Sequence, residues 1–153
     1  MPVVDASVVV EFIKPEIGSS GPVEDLFEGW ARHGVTLAAP RLMWEEVLNA
    51  LLTGVRRLRW TGEQADVAAT LLERLPVTAV ADERDRSRAF ELARRYDNWP
   101  VYEMVYVAVA ERLAEPLVTA DERLRSRLAH LGWVLGPLEA LDGMAAASEH
   151  LRS

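Results

Sequence analysis

The stretch PLVTADERLRSRLAHLGWVLG, Pro116 to Gly136, carries the fold in miniature. PLVTA is a short apolar strand. Asp121 then opens a helix running to Leu131, Gly132 is its stop, and WVLG is a second strand. The same alternation runs outward through the chain. PVVDAS is a strand of three or four residues ending at Asp5, followed by the short helix SVVVEFI. Beyond the turn-rich KPEIGSSG come a helix from Pro22 to His33, the strand VTLAAP, and the helical repeat of RLMWEEVLNALLTGVRRLR. Thr61 and Gln64 form a capping-box pattern that starts a helix through Arg74. PVTAV is a third strand, Asp82 to Arg95 a helix, and PVYEMVYVAVAE an apolar helix stopped by Pro116. A last helix is expected from Pro137, fraying into SEHLRS. Strands alternating with helices predict an α/β domain with a mainly parallel sheet covered on both faces.

The 153 residues predict one domain, 50% hydrophobic and 27% charged, as in ordinary globular proteins. No stretch reaches transmembrane length, and MPVVDASVVVEF lacks the basic region of a secretory signal. The chain has no cysteine, which excludes disulfides, thiol nucleophiles and thiolate metal sites and suits a reducing cytoplasm. A net charge of −7 argues against binding nucleic acid by bulk electrostatics, but not against an enzyme that meets phosphates through bound cations.

Four acids stand out. In an open parallel sheet, ligands bind beyond the carboxyl ends of the strands, where the strand order reverses. Asp5 ends the first strand and Asp121 the fourth. Glu46 falls in the first two turns of the helix after the second strand, pointing inward alongside Asn49. Glu103 is the one acid between Val101 and Ala110, on the stripe of Tyr106, Val107 and Ala110, where an unpaired carboxylate is costly. Each has a plainer explanation: Asp5 and Asp121 as helix caps, Glu46 as a half-solvated helix acid, Glu103 as a carboxylate satisfied by a helix N-terminus or a buried arginine. ADERDRSR, from Ala81, and ADERLRSR, from Ala120, differ at one position, so Asp82 looks locally identical to Asp121. Clustered carboxylates raise one another's pKa unless cations neutralise them, and all-oxygen ligand sets suit Mg²⁺ or Mn²⁺. Convergence of the four acids therefore points to metal-assisted phosphoryl chemistry.

VVDAS, WEEVLNAL, VYEMVYVAVAE and PLVTADERL, in this order, resemble the four signature segments of PIN-domain proteins and, more narrowly, of the VapC-like toxins of toxin–antitoxin pairs. The resemblance implies a three-layer α/β/α sandwich with strand order 3-2-1-4-5, which makes strands one and four neighbours and sends Asp82 to the sheet edge. It implies that Asp5, Glu46, Glu103 and Asp121 are the catalytic, metal-holding acids, with Ser7, Asn49 and Thr119 in support. Ser7 also reads as a cap, and Thr119 as the opening of a capping box with Glu122. At position 103 the family usually has aspartate, so the glutamate reaches one methylene further. Asp97, in YDNWP, reads as a turn residue rather than a substitute acid.

The function expected is that of a Mg²⁺- or Mn²⁺-dependent endoribonuclease with one or two ions, leaving 5′-phosphate and 3′-hydroxyl ends. The alternative is a PIN-fold binding module weakened at Glu103. The resemblance further implies a homodimer, a VapB-like antitoxin as partner, RNA as substrate and no membrane. The sequence leaves substrate contacts undefined: Arg56, Arg57, Arg59 and Trp60 read either as a phosphate-tracking cluster or as a solvated helix end with a core tryptophan, and Arg123, Arg125 and Arg127 are equally open. His33, His130 and His150 fall at helix ends or in the tail. A receiver domain would want a lysine after the last strand, where none stands. A haloacid dehalogenase would want an aspartate at Ser7.

Overall fold

The structure, a computed structural model, describes residues 1–16 and 21–150, with side chains through 147. Part of the turn-rich stretch before Gly21 and the fraying expected of the tail, with the His150 side chain, lie outside the described residues.

The chain runs β1 (Val3–Val4), α1 (Ala6–Ile13), α2 (Pro22–Arg32), β2 (Leu37–Pro40), α3 (Leu42–Arg56), α4 (Gly62–Leu72), β3 (Val77–Val80), α5 (Glu83–Arg95), α6 (Val101–Leu113), β4 (Leu117–Val118), α7 (Glu122–Leu128), β5 (Val134–Leu135) and α8 (Pro137–His150). All strand pairs are parallel, in the order β3-β2-β1-β4-β5, with helices on both sides of the sheet. This is the α/β/α sandwich and the strand order expected. β1 lies between β2 and β4, pairing Val3 with Ala38 on one side and with Leu117 on the other.

β1 is shorter than its sequence suggests because the chain turns into α1 directly after Asp5. One further ladder bond carries the pairing past the strand, from the Asp5 N–H to the Val118 carbonyl at 3.0 Å. α6 is apolar nearly all round because it packs on β2, β1 and β4 while lying against α5. Met104, Tyr106, Val107, Ala108, Val109 and Ala110 are all buried. A second, polar tie joins the two helices: Arg112 donates to both oxygens of the buried Asp85, at 2.7 and 2.8 Å. The capping box at α4 forms in both directions, the Gln64 N–H reaching Thr61 Oγ1 at 3.1 Å and the Thr61 N–H reaching Gln64 Oε1 at 2.9 Å. α7 tightens into a 3₁₀ turn over Ala129–Leu131 and ends at Gly132, whose φ of 74° is the left-handed stop its residue type permits.

The C-terminal end of α3 settles the reading of Trp60. Its ring is buried, its indole N–H donates to the Leu51 carbonyl at 2.8 Å, and Gly54 lies flat beneath it. The tryptophan is a core residue and no stacking platform. Arg59, lying over the outer ring face, pairs with Glu16 at 2.6 Å. A Cβ on Gly54 would fall within the Trp60 ring. Gly54→Ala is therefore expected to destabilise the protein by about 1–3 kcal/mol, despite the better helix propensity of alanine. Urea denaturation checks this; a stability gain would mean that the ring moves aside without cost.

Candidate active site

Asp5 is at the N-cap position of α1 but makes no side-chain cap bond. Its carboxylate is buried, and one oxygen, Oδ2, accepts two hydroxyls: Thr119 Oγ1 at 2.7 Å and Ser7 Oγ at 2.7 Å. Both hydroxyls are oriented by the backbone of the β4–α7 turn. The Asp121 N–H donates to Thr119 Oγ1 and the Ala120 N–H to Ser7 Oγ, each at 3.0 Å, leaving each O–H to point at Asp5. Ser7 and Thr119 are thus neither cap nor capping-box residues; they hold an acid. Burial raises the Asp5 pKa, the two hydroxyls oppose the rise, and the nearby charge of Asp121 adds to it.

Asp121 is the N-cap of α7, its Oδ1 accepting the N–H groups of Arg123 at 2.9 Å and Leu124 at 3.2 Å. Glu46, half-buried on α3, accepts the Tyr106 hydroxyl at 3.3 Å. Its pKa is pushed up to about 7, first by burial, then by the charges of Asp5 and Glu103, with the Tyr106 bond opposing. Glu103 accepts the indole N–H of Trp99 from the turn that precedes α6. Its pKa is also raised by burial; Trp99 and the charge of Arg123 oppose, while Asp121 and Asp5 reinforce. Asp5 and Glu103 both act on Glu46, and Asp121 acts on both of them, so the four form one electrostatically connected group at the carboxyl end of the central strands.

Asn49 is not among them. Its side chain is exposed, against the inward direction expected. At 100° per residue it falls about 160° from Val47, the centre of the buried face of α3, whereas Glu46 is on the rim about 100° away. Asp82 is a cap clamped by Arg84, with Nε to Oδ1 at 2.9 Å and Nη2 to Oδ2 at 2.7 Å, on the edge strand's side of the sheet. Asp97 is exposed, has a positive φ of 58° and pairs with Arg127 at 2.5 Å, as a turn residue does. Tyr106 was legible only as part of the apolar stripe. A fully buried tyrosine needs a partner for its hydroxyl, and this was the available signal.

Among the described residues, no three histidine, aspartate or glutamate side chains stand close enough together to hold one ion as they are arranged. The donor set itself, all carboxylate oxygens with raised proton affinity at three positions, suits a hard divalent cation.

A parallel 3-2-1-4-5 sheet with an electrostatically linked group of acids around the carboxyl ends of its central strands defines an α/β protein with an acidic site. Residues 3–129 match the sequence profile of the PIN domain. The chain therefore belongs to the PIN-domain family, which is generally a metal-dependent nuclease fold and usually binds divalent ions. Its fold is similar to that of PAE2754 from Pyrobaculum aerophilum, with a TM-score of 0.67 over 94% of each chain at 20% identity. No curated protein sequence matches it significantly. No helix among the described residues is long and apolar enough to cross a membrane.

The raised acids make stability depend on pH. Unfolded, Glu46 ionises near 4.5; folded, it keeps its proton to about 7. Between these values the folded state binds more protons, so the stability it contributes is intact below 4.5 and lost above about 7. Asp5 and Glu103 shift in the same direction. Metal-free protein should melt at a higher temperature at about pH 5 than at about pH 8, with Glu46→Gln removing much of the difference. Differential scanning calorimetry across this window checks it, and a melting temperature that climbs with pH would contradict it.

Proposed function

We propose that the protein is a metal-dependent endoribonuclease acting as the toxin of a toxin–antitoxin pair in the cytoplasm. Asp5, Glu46, Glu103 and Asp121 would hold one or two Mg²⁺ or Mn²⁺ ions in a domain spanning residues 1–153. The observation that carries this reading is the state of Asp5. It is a buried carboxylate that caps nothing, with two hydroxyls on one oxygen and three other acids acting on it or on each other. A purely structural aspartate at this position would cap α1 or meet an arginine, as Asp82 does both.

A divalent cation bound there supplies two effects, lowering the pKa of the attacking water and offsetting charge that builds on the phosphate. The chain's own residues do the rest. Ser7 and Thr119 fix the Asp5 oxygen they bond, Tyr106 orients Glu46, and the α7 backbone orients Asp121. An acid outside the ligand set would orient the water. A second copy of the chain and a VapB-like antitoxin are the expected partners. Exposed Leu48 and Leu52 on α3, with Val67 and Leu71 on the adjoining α4, offer apolar surface for a partner.

One observation favours the alternative of a catalytically weakened PIN-fold binding module. The longer Glu103 side chain is engaged by Trp99 rather than held with the other acids around a common point. Cleavage of a mixed structured-RNA pool with Mg²⁺, with Mn²⁺ and with neither separates the readings. Asp5→Asn is expected to abolish metal-dependent cutting and Glu103→Gln to reduce it by about a hundredfold. Cutting retained in Glu103→Gln would return Glu103 to structure. No cutting by folded, antitoxin-free protein with either metal would leave the binding module.

A further inference from the structure

The two near-identical octapeptides of the chain do different things with the same arginine. In ADERDRSR, Arg84 folds back onto its own cap residue and closes a two-pronged ion pair with Asp82. In ADERLRSR, Arg123 occupies the same position relative to Asp121, with the same backbone cap bond at 2.9 Å, yet its side chain leaves the aspartate. Its guanidinium lies over the Trp99 ring, 5.3 Å from the ring centre. The octapeptides differ only at the next position, Asp85 against Leu124: Asp85 adds a local negative charge acting on Arg84, whereas at Arg123 that charge is absent and the Trp99 ring receives the guanidinium. The indole is itself fixed by its N–H bond to Glu103, and the Arg123 charge acts on that glutamate.

The other arginines of α7 are committed. Arg125 joins Glu122 and Glu139, both at 2.8 Å, and Arg127 joins Asp97. Among the described residues Arg123 alone of the three has no ion pair, although it is exposed and its charge reaches Glu103. A cation held on a ring keeps its forked N–H donors available, and that fork matches a phosphate in two-pronged fashion. In a chain of net charge −7 such a cation supplies what the acids cannot, an attraction for the polyanion that must approach them.

We propose that Arg123, seated on Trp99 beside Glu103, is a substrate-binding residue that takes a backbone phosphate of the RNA strand. This rests on the ribonuclease reading and adds to it the first residue assigned to substrate rather than to metal. Trp99 is its positioning residue.

The test is equilibrium binding of a labelled, mixed-sequence single-stranded RNA by fluorescence anisotropy, in Ca²⁺ and over a series of KCl concentrations. Arg123→Ala is expected to weaken binding about tenfold and to reduce the slope of log affinity against log salt by about 0.7, the share of one phosphate contact on a single strand. Arg123→Lys should restore the slope. Arg125→Ala should leave both quantities unchanged. Wild-type binding with the same affinity and slope in Arg123→Ala would overturn this assignment while leaving the nuclease reading standing. A slope reduced equally by Arg125→Ala would also overturn it, as a diffuse surface effect. No RNA binding or cleavage by the wild-type protein would remove both readings together. Superimposable thermal melts of the variants show that folding is not the cause.

Discussion

Asp5 is a buried carboxylate between β2 and β4, at the end of a two-residue strand. Its burial raises its pKa, and no arginine or lysine among the described residues pairs with it. Two hydroxyls and the backbone behind them are what offset that cost. Each hydroxyl comes from a different element, Ser7 from the first turn of α1 and Thr119 from beyond β4, and each is aimed by an N–H of the β4–α7 turn. Shortening β1, starting α1 without a linker and pairing β1 with β4 are therefore one arrangement seen at three places. Moving any of these elements would strand a buried carboxylate or leave a hydroxyl without an acceptor.

The alternation of elements was legible partly because several helices carry their own start or stop in the sequence: the Thr61–Gln64 box, Asp82 and Asp121 as caps, Gly132 as a terminator. The order of the strands was not. No residue in PVVDAS or PLVTA says that the two will be neighbours, and the resemblance alone supplied it. Local pattern also fails to separate Asp82 from Asp121, or either from Asp5. Whether an aspartate after a strand caps its helix is decided by what else approaches it. At Asp82 that is an arginine two residues on, at Asp121 only backbone, and at Asp5 a serine two residues on together with a threonine from beyond the distant β4. Asn49 shows the opposite limit, where a spacing of three from Glu46 suggested a shared face but the rim position of Glu46 puts its neighbour outside.

Glu103 was a puzzle of burial, and the structure divides it into two parts. Side chains on a helix lean toward its N-terminus, so a long acid in the first turn of α6 reaches back four residues and meets the Trp99 indole. An aspartate would be one methylene shorter on that path. The same turn carries Asp97 and Asn98 with left-handed backbone, φ 58° and 60°, which acidic and amide residues tolerate better than most. The loop conformation, the ring it presents and the length of the acid belong to one local solution.

Comparison of the acids across the molecule gives the deeper contrast. Asp82, Asp85, Glu111 and Glu16 are each matched by an arginine within hydrogen-bonding distance. Among the described residues Asp5, Glu46, Glu103 and Asp121 have no such match; their donors are hydroxyls, an indole and backbone amides, all uncharged. Neutral donors orient a carboxylate without cancelling its charge. The chain pairs other arginines with other acids, while Arg123, near Glu103, is held on the Trp99 ring. Charge left uncompensated at one point, in a protein that pairs it elsewhere, is stable when a cation from solution completes it. The proposed metal site asks for that condition before it asks for any particular geometry.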